Sequence, residues 1–284
     1  MNAYPASEKF YRQSGRIAEE LQKLGVETQV KTNAEIARLI TADGGVTVDA
    51  CADFAVYLDK DKYLGRMLEK SGLRLFNRAE AIEICDDKAS TYLALCGKGV
   101  PVVPTVPAPL CYTKGVRADE KFLRSVGETL GFPVVVKTSY GSFGVGVCLA
   151  RNEAELRALA QELLYTPHCY QAFVEESAGR DLRVIVVGGK AIGAMERRAK
   201  DGEFRSNIEL GGTGEKAVLD ENSRAVAESA ARALGLDYCG VDVLLTKRGA
   251  VVCEVNSNAF FEGFEVATGV NVAKAYAEYI VGII

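Results

Sequence analysis

Asp242, Glu254 and Asn256 carry oxygen donors at a spacing that can gather all three on one face of a β-hairpin. In the run Cys239-Gly-Val-Asp-Val-Leu-Leu-Thr-Lys-Arg-Gly-Ala-Val-Val-Cys-Glu-Val-Asn-Ser257, Lys247-Arg248-Gly249 reads as a three-residue loop with Gly249 in the left-handed position. That loop pairs Thr246 with Ala250, and therefore Asp242 with Glu254; period-two alternation sets Asn256 beside them. The other face then presents Val241, Val243, Leu245, Val251, Cys253 and Val255, an apolar set for a core. Two adjacent carboxylates repel unless a cation lies between them, and an all-oxygen set suits magnesium with phosphate oxygens completing its shell. A single acid here would read as an exposed strand edge. The alternation of apolar and acidic faces around a glycine turn points instead to a site that handles a nucleotide phosphate.

A second run, Val134-Val-Val-Lys-Thr-Ser-Tyr-Gly-Ser-Phe-Gly-Val-Gly-Val-Cys148, predicts a strand ending at Lys137 and a loop through Gly141, Ser142, Gly144 and Gly146. Glycines let backbone amides approach phosphate oxygens, and a lysine at the strand end adds a point charge. The order matches neither the Gly-x-Gly-x-x-Gly of a dinucleotide fold nor a P-loop. Alone, such a loop is more often a flexible turn; together with Asp242, Glu254 and Asn256 it is strong evidence. Between these runs lie Tyr170 to Arg183, Met195 to Lys200 and Phe204 to Asn207. Gln171-Ala172-Phe173-Val174 could offer backbone groups to an adenine edge with Phe173 on the ring, although such segments are usually core. Asp181 and Arg183 share one strand face. Arg183, Arg198 and Arg205 could clamp phosphate or carboxylate in bidentate fashion, although any one arginine is more often a solvated charge.

The elements that position these residues follow from periodicity. Phe10, Ile17, Leu21 and Leu24 stripe a helix that Gly25 ends, followed by a strand over 26–32 and a short helix from Asn33. A strand at 54–58, a helix through 63–68, a strand at 73–76 and a helix capped by Asn77 continue a parallel α/β alternation. Pro101, Pro104, Pro107 and Pro109 mark an extended linker. Beyond it come a helix over 119–130, strands at 133–137 and 145–150, and a helix at 152–164. A strand-rich region from Cys169 follows, with helices at 220–234 and from Val270. Three lobes are expected, at 1–84, 85–169 and 170–284.

With 284 residues, a net charge of −4 and a pI near 5.4, the chain has no global basic field for nucleic acid or anionic membrane. Eight cysteines without a Cys-x-x-Cys pair fit a reducing cytosol. A charged N-terminus without an apolar h-region, and no run of spanning length, predict a soluble, cytoplasmic protein. Homo-oligomerisation stays open.

In order and spacing, these pieces resemble the ATP-grasp carboxylate–amine ligases, and among them the RimK-like branch that adds amino acids such as glutamate to a carboxyl group. The resemblance runs from about Asp87 to the C-terminus, through Asp87-Lys88, Val136-Lys137, Gly141-Ser-Phe-Gly-Val-Gly146, Gln171-Ala-Phe-Val174, Asp181-Leu-Arg183, Phe204-Arg-Ser-Asn207, Gly240-Val-Asp242 and Glu254-Val-Asn-Ser257. Glu262-Gly263 and Ala267-Thr-Gly269 continue it. It implies an α/β chain with α+β lobes: a pre-ATP-grasp lobe followed by two lobes clasping ATP. By resemblance, Lys88 and Lys137 hold ATP phosphates, Ala172 and Phe173 the adenine, and Asp181 the nucleoside side. Arg205, Ser206 and Asn207 close on the nucleotide, and Asp242, Glu254 and Asn256 hold two magnesium ions, for which manganese could substitute. The chain departs from the family at Glu209-Leu210, where relatives often have His-Arg, and at Asn258-Ala-Phe-Phe261, which replaces a proline-glycine stretch. It also starts without the apolar first strand usual in such ligases.

The implied reaction makes an acyl phosphate and ADP from a small-molecule or peptide carboxylate, and an amino-acid amine then displaces phosphate. The lone histidine, His168, argues against a Ser-His-Asp arrangement and reads as structural. Two rival classes are an ATP-binding regulator without turnover and a phosphotransferase on the same fold.

Overall fold

The structure, a computed structural model, describes residues 1–4 and 7–284, apart from the side chain of Glu209. The expected effect of Glu209 on the charge of the pocket therefore falls outside the described residues. The chain opens with helix α1 (Lys9–Lys23) and a small antiparallel hairpin of β1 (Arg38–Ile40) and β2 (Val46–Val48). Strands β3 (Phe54–Val56) and β4 (Arg74–Phe76) pair in parallel across helix α2 (Lys62–Lys70), and helices α3 (Ala79–Asp86) and α4 (Lys88–Leu95) follow. The strand expected over 26–32 and the helix from Asn33 do not form: 26–32 has no regular structure, 33–36 turns, and β1 and β2 follow.

A second sheet contains β5 (Thr105–Pro107), β6 (Val134–Thr138), β7 (Val147–Ala150) and β8 (His168–Ala172), ordered β5-β8-β6-β7 and antiparallel throughout. Helices α5 (Glu120–Leu130) and α6 (Glu153–Glu162) back it, capped by the side chains of Asp119 and Asn152. Leu123, Val126, Leu156 and Ala160 from these helices pack on Val134 and Val136. The proline stretch is more than a linker. Its Pro101 and Val103 exchange backbone hydrogen bonds with Val252, and it then enters the sheet as β5.

A third sheet contains β9 (Arg180–Val187), β10 (Lys190–Arg198), β11 (Thr213–Lys216), β12 (Tyr238–Thr246) and β13 (Gly249–Asn256), ordered β11-β10-β9-β12-β13 and also antiparallel. Helix α7 (Glu221–Leu234) covers one face. Asp220 caps its start, Gly235 ends it in the left-handed conformation, and Ala227, Ala230 and Ala231 let it lie close on Val184, Val241, Val243 and Val252. The opposite face is covered by Ile17 and Leu21 of α1 and by Tyr276 and Ile280 of α9 (Val272–Val281), which follows α8 (Glu262–Thr268). The architecture is α+β.

Asn77, expected as a helix cap, has a different task. The residue at the cap position of α3 is Arg78, whose side chain makes no capping hydrogen bond. The buried amide of Asn77 instead donates to the carbonyls of Tyr238 (2.7 Å) and Ser257 (2.8 Å) and accepts from the amides of Asp237 and Tyr238. One side chain thus fastens the N-terminal part to the third sheet. No helix among the described residues is long and apolar enough to cross a membrane.

Candidate active site

The oxygen-bearing hairpin reaches its expected register by two offsets that cancel. The loop is Lys247-Arg248 alone, with Thr246 opposite Gly249, one residue shorter than the sequence suggests. The pairing then slips between Asp242 and Val243, so that Cys253 is the extra residue of a bulge. Asp242 consequently faces Glu254, and Gly240 faces Asn256. The bulge also changes which residues are core. Ala250 and Val252 are buried there, in place of the expected Val251 and Cys253, and Cys253 turns to the cleft, where it meets Lys137 Nζ at 3.5 Å.

Asp242, Glu254 and Asn256 line one cavity of about 380 Å³. Asp242 is buried and held from two sides. Arg183 grips both of its oxygens, with Nη2 2.8 Å from Oδ2, and Arg197 Nη2 lies 2.9 Å from the same Oδ2. Arg197 also forks Asp181 at 2.7 and 2.5 Å, and Ser206 Oγ donates to Asp181 Oδ2 at 2.7 Å. Burial works to raise the pKa of Asp242, but the guanidinium groups of Arg183 and Arg197 outweigh it and hold the carboxyl ionised. Burial likewise opposes the charge on Arg197, and Asp242 and Asp181 overcome it.

The donor set fits a magnesium ion. A carboxylate offers about four lone-pair sites, and the three contacts from Arg183 and Arg197 leave one open on Asp242 Oδ1. Glu254 is partly exposed, and Asn256 lines the same cavity, where its amide oxygen would be the third donor; its buried amide nitrogen has no hydrogen-bond partner. Among the described residues no three His, Cys, Asp or Glu side chains gather as a metal set.

The two lysines and the glycine loop stand opposite. Asp87 caps α4, and its neighbour Lys88 extends between the Gly141 carbonyl (3.1 Å) and Glu254 Oε1 (3.6 Å). Lys137 is buried on β6. Burial opposes its charge, and Cys253, Tyr92 and Glu254 more than offset it, so its pKa lies above the ordinary lysine value. Burial pushes both Cys253 and Tyr92 upward. The loop from Gly141 to Gly146 needs its glycines: Gly144 and Gly146 have φ of 74° and 72°, and a Cβ on Gly146 would collide with Thr138 Oγ1. Arg205 reaches back to this loop, donating to the Gly144 carbonyl at 2.9 Å while pairing with Glu203 at 2.7 Å, and that hydrogen bond pulls the Glu203 pKa down to about 2. Asn207 Oδ1 stands where a Gly144 Cβ would be, 2.9 Å away.

A narrower adjoining pocket is lined by Gln171, Ala172, Phe173 and Val174 together with Lys137, Asp181, Arg205, Ser206 and Asn207. The Ala172 amide is already committed to the Pro104 carbonyl, and the Phe173 ring meets Phe204 edge-on at 6.4 Å. Ser142 lines both cavities.

Two arginines differ from expectation. Arg183 is spent on Asp242 rather than open to a substrate carboxylate. Arg198 is exposed, pairs with Glu196 at 2.6 Å and lines neither cavity, whereas its neighbour Arg197 faces the cleft. The cause is a second bulge. Counting from the Gly188-Gly189 turn would place Arg198 on the face of Asp181, but the register slips between Ala191 and Gly193, so that Asp181 opposes Arg197. The sequence signal for Arg197 was the adjacency of two arginines after a glycine-turned strand, one of which must face inward.

Two antiparallel sheets that close over a cleft with a glycine loop on one side and an acid-bearing hairpin on the other define an ATP-grasp fold. A RimK-domain ATP-grasp protein from Sphaerobacter thermophilus has this fold, with a TM-score of 0.70 over 94% of each chain at 20% identity. A profile of the RimK-like ATP-grasp domain matches residues 86–280, and the chain belongs to that family. It is 39% identical over 231 residues to a beta-citrylglutamate synthase B from Danio rerio, covering 81% of this chain and 56% of the relative. It is 38% identical over 232 residues to an N-acetylaspartylglutamate synthase A from Homo sapiens, covering 81% and 58%. The chain thus spans a little over half the length of these relatives.

Proposed function

We propose that the protein is an ATP-dependent, ADP-forming ligase that joins a small-molecule or peptide carboxylate to the amine of an amino acid. The observation that carries this reading is the continuous polar path from the hairpin through Glu254 and Lys88 to the Gly141 carbonyl of the glycine loop. Names of relatives support the reaction class, since two of them are synthases of glutamate conjugates. Of the lobes inferred at 1–84, 85–169 and 170–284, the boundary at 169/170 falls inside β8 (His168–Ala172), so the second sheet extends to Ala172, while the third sheet lies within 180–256. The free cysteines accord with a cytoplasmic location.

In this reading the substrate carboxylate attacks the γ-phosphate of ATP, giving an acyl phosphate and ADP. The amine nitrogen then attacks the acyl carbon, the C–O bond to phosphate breaks, and nitrogen loses a proton to yield the amide and inorganic phosphate. Lys88 and Lys137 bind phosphate oxygens and keep their positive charge near the transferred group, where preorganised charge counts most. Asp242, Glu254 and Asn256 would hold magnesium, which neutralises phosphate charge when bound; manganese shares the preference for oxygen. Arg183 and Arg197 fix the orientation of Asp242 and do not touch substrate. Arg205 ties the glycine loop to the 204–207 segment, which excludes water from the reactive acyl phosphate.

The test is ADP and phosphate release with a panel of carboxylates and amines. Phosphate release that requires an amine identifies a ligase, ADP release with carboxylate alone and no free phosphate identifies a phosphotransferase, and no release under any condition identifies a regulator. Glu254→Gln keeps the side-chain shape and should abolish release; wild-type turnover in this variant would sink the metal assignment.

A further inference from the structure

The cavity that holds the oxygen hairpin also carries aromatic rings from three separate parts of the chain. Phe260 follows β13 and is met edge-on by Phe10 of α1, with centroids 4.8 Å apart. Phe143, from the glycine loop, stacks on Phe260 at 6.0 Å and 22°. Phe143 is placed at a cost. Its φ of 61° is the one left-handed value at a non-glycine position among the described residues, and a side chain there costs roughly 1–2 kcal/mol. Glycine would sit at that position without strain, so the ring is what the chain gains by putting phenylalanine there. Phe143 remains 36% exposed and lines the cavity.

The charges of the same cavity are matched internally. Lys60 pairs with Asp86 at 2.6 Å, Lys88 with Glu254 at 3.6 Å, and both Arg183 and Arg197 with Asp242; Lys9 is not free either. An acidic side chain seated against the rings would lose water without meeting a protein cation that lacks a partner of its own, and a buried carboxylate without a partner is costly. An apolar ring would instead extend the existing stack.

We infer that one of the two molecules joined by this enzyme carries an aromatic or bulky aliphatic side chain, seated against Phe143 and Phe260. This rests on the ligase reading and departs from the glutamate in the names of the relatives.

Calorimetry on the full chain, saturated with magnesium and a non-hydrolysable ATP analogue, tests it. N-acetyl-L-phenylalanine offers only a carboxylate and L-phenylalanine amide only an amine; N-acetyl-L-glutamate and L-glutamate α-amide are their acidic counterparts. One phenylalanine compound should bind at least about tenfold more tightly than its acidic counterpart, as the packing of one ring allows, and which one it is assigns the group to the acid or to the amine. Phe260→Ala should erase that preference and leave affinity for the analogue unchanged. Phe143→Gly should likewise erase that preference without risk to folding, because glycine suits that φ. Equal or tighter binding of the acidic compounds, no binding of either phenylalanine compound, or a preference that survives both substitutions overturns the inference. Failure of the analogue to bind would instead overturn the ligase reading, and the side-chain preference is then read on the nucleotide-free protein.

Discussion

The inner end of the cavity is made of charges on strands, whereas the aromatic end is made of rings largely on loops. Asp181, Arg183, Arg197 and Asp242 project from β9, β10 and β12, held in mutual contact by the ladder itself. Phe143 and Phe260 belong to the glycine loop and the segment after β13, and they touch across a gap between parts of the chain. The difference follows from how steeply each interaction depends on position. A buried charge displaced from its partner is left uncompensated, at a cost of several kcal/mol, so it needs a rigid support. Apolar contact is non-directional and survives small shifts, so loops can carry it and can change it without disturbing the charged end.

The most severe way to break this contrast is Arg197→Met. It leaves Asp181 and Asp242 short of a shared partner, and it should cost about 3–5 kcal/mol of stability and abolish turnover, as measured by denaturant unfolding and ADP release. A stable, active variant would show that the inner cluster is not interdependent. Lys137→Met should be milder, because among the described residues no carboxylate lies within salt-bridge distance of this buried lysine. ATP affinity should fall by about 1.5–3 kcal/mol with the fold retained, and unchanged affinity by calorimetry would remove Lys137 from the phosphate site.

The smallest effect should come from the Glu203–Arg205 pair, which ties the 203–205 segment to the Gly144 carbonyl of the glycine loop. Glu203 titrates at about 2 in the fold against roughly 4.3 when unfolded. Its contribution is therefore fully present above the unfolded value and is lost as pH falls from there through about 2. Both side chains are partly exposed, 26% for Arg205 and 17% for Glu203, so solvent screens the pair and the loss should be slight. Glu203→Gln should flatten the acid limb of the stability curve; an unaltered limb would show that the pair adds nothing.

Local signals were read well from sequence because their cause is local. The helices expected over 119–130, 152–164 and 220–234 form as α5, α6 and α7, because Asp119, Asn152 and Asp220 cap them and Gly235 ends the last, all through short-range hydrogen bonds and glycine geometry. Asn77 was misread for the opposite reason. Its partners, Asp237, Tyr238 and Ser257, are at least 160 residues away, and nothing near it in the chain announces them. The proline stretch was read as linker because β5 is short and borrows its partner, β8, from beyond two helices.

By itself the sequence determined which residues could meet ATP and a cation, since Lys88, Lys137, Asp242, Glu254 and Asn256 are the types such chemistry needs and their order along the chain is fixed. Tertiary structure decided which way the strands present them. A strand alternates with period two, so a single bulge exchanges its faces, and the bulges at Cys253 and near Ile192 put Cys253 and Arg197 in the cleft while turning Arg198 outward. Close approach between elements shapes the same region: a Cβ on Gly193 would lie 3.2 Å from Phe264, and one on Gly240 would lie 2.7 Å from Ala259 and 3.0 Å from Arg183. Those neighbours come from distant parts of the chain, and only when they pack does the register, and with it the inward face, become fixed.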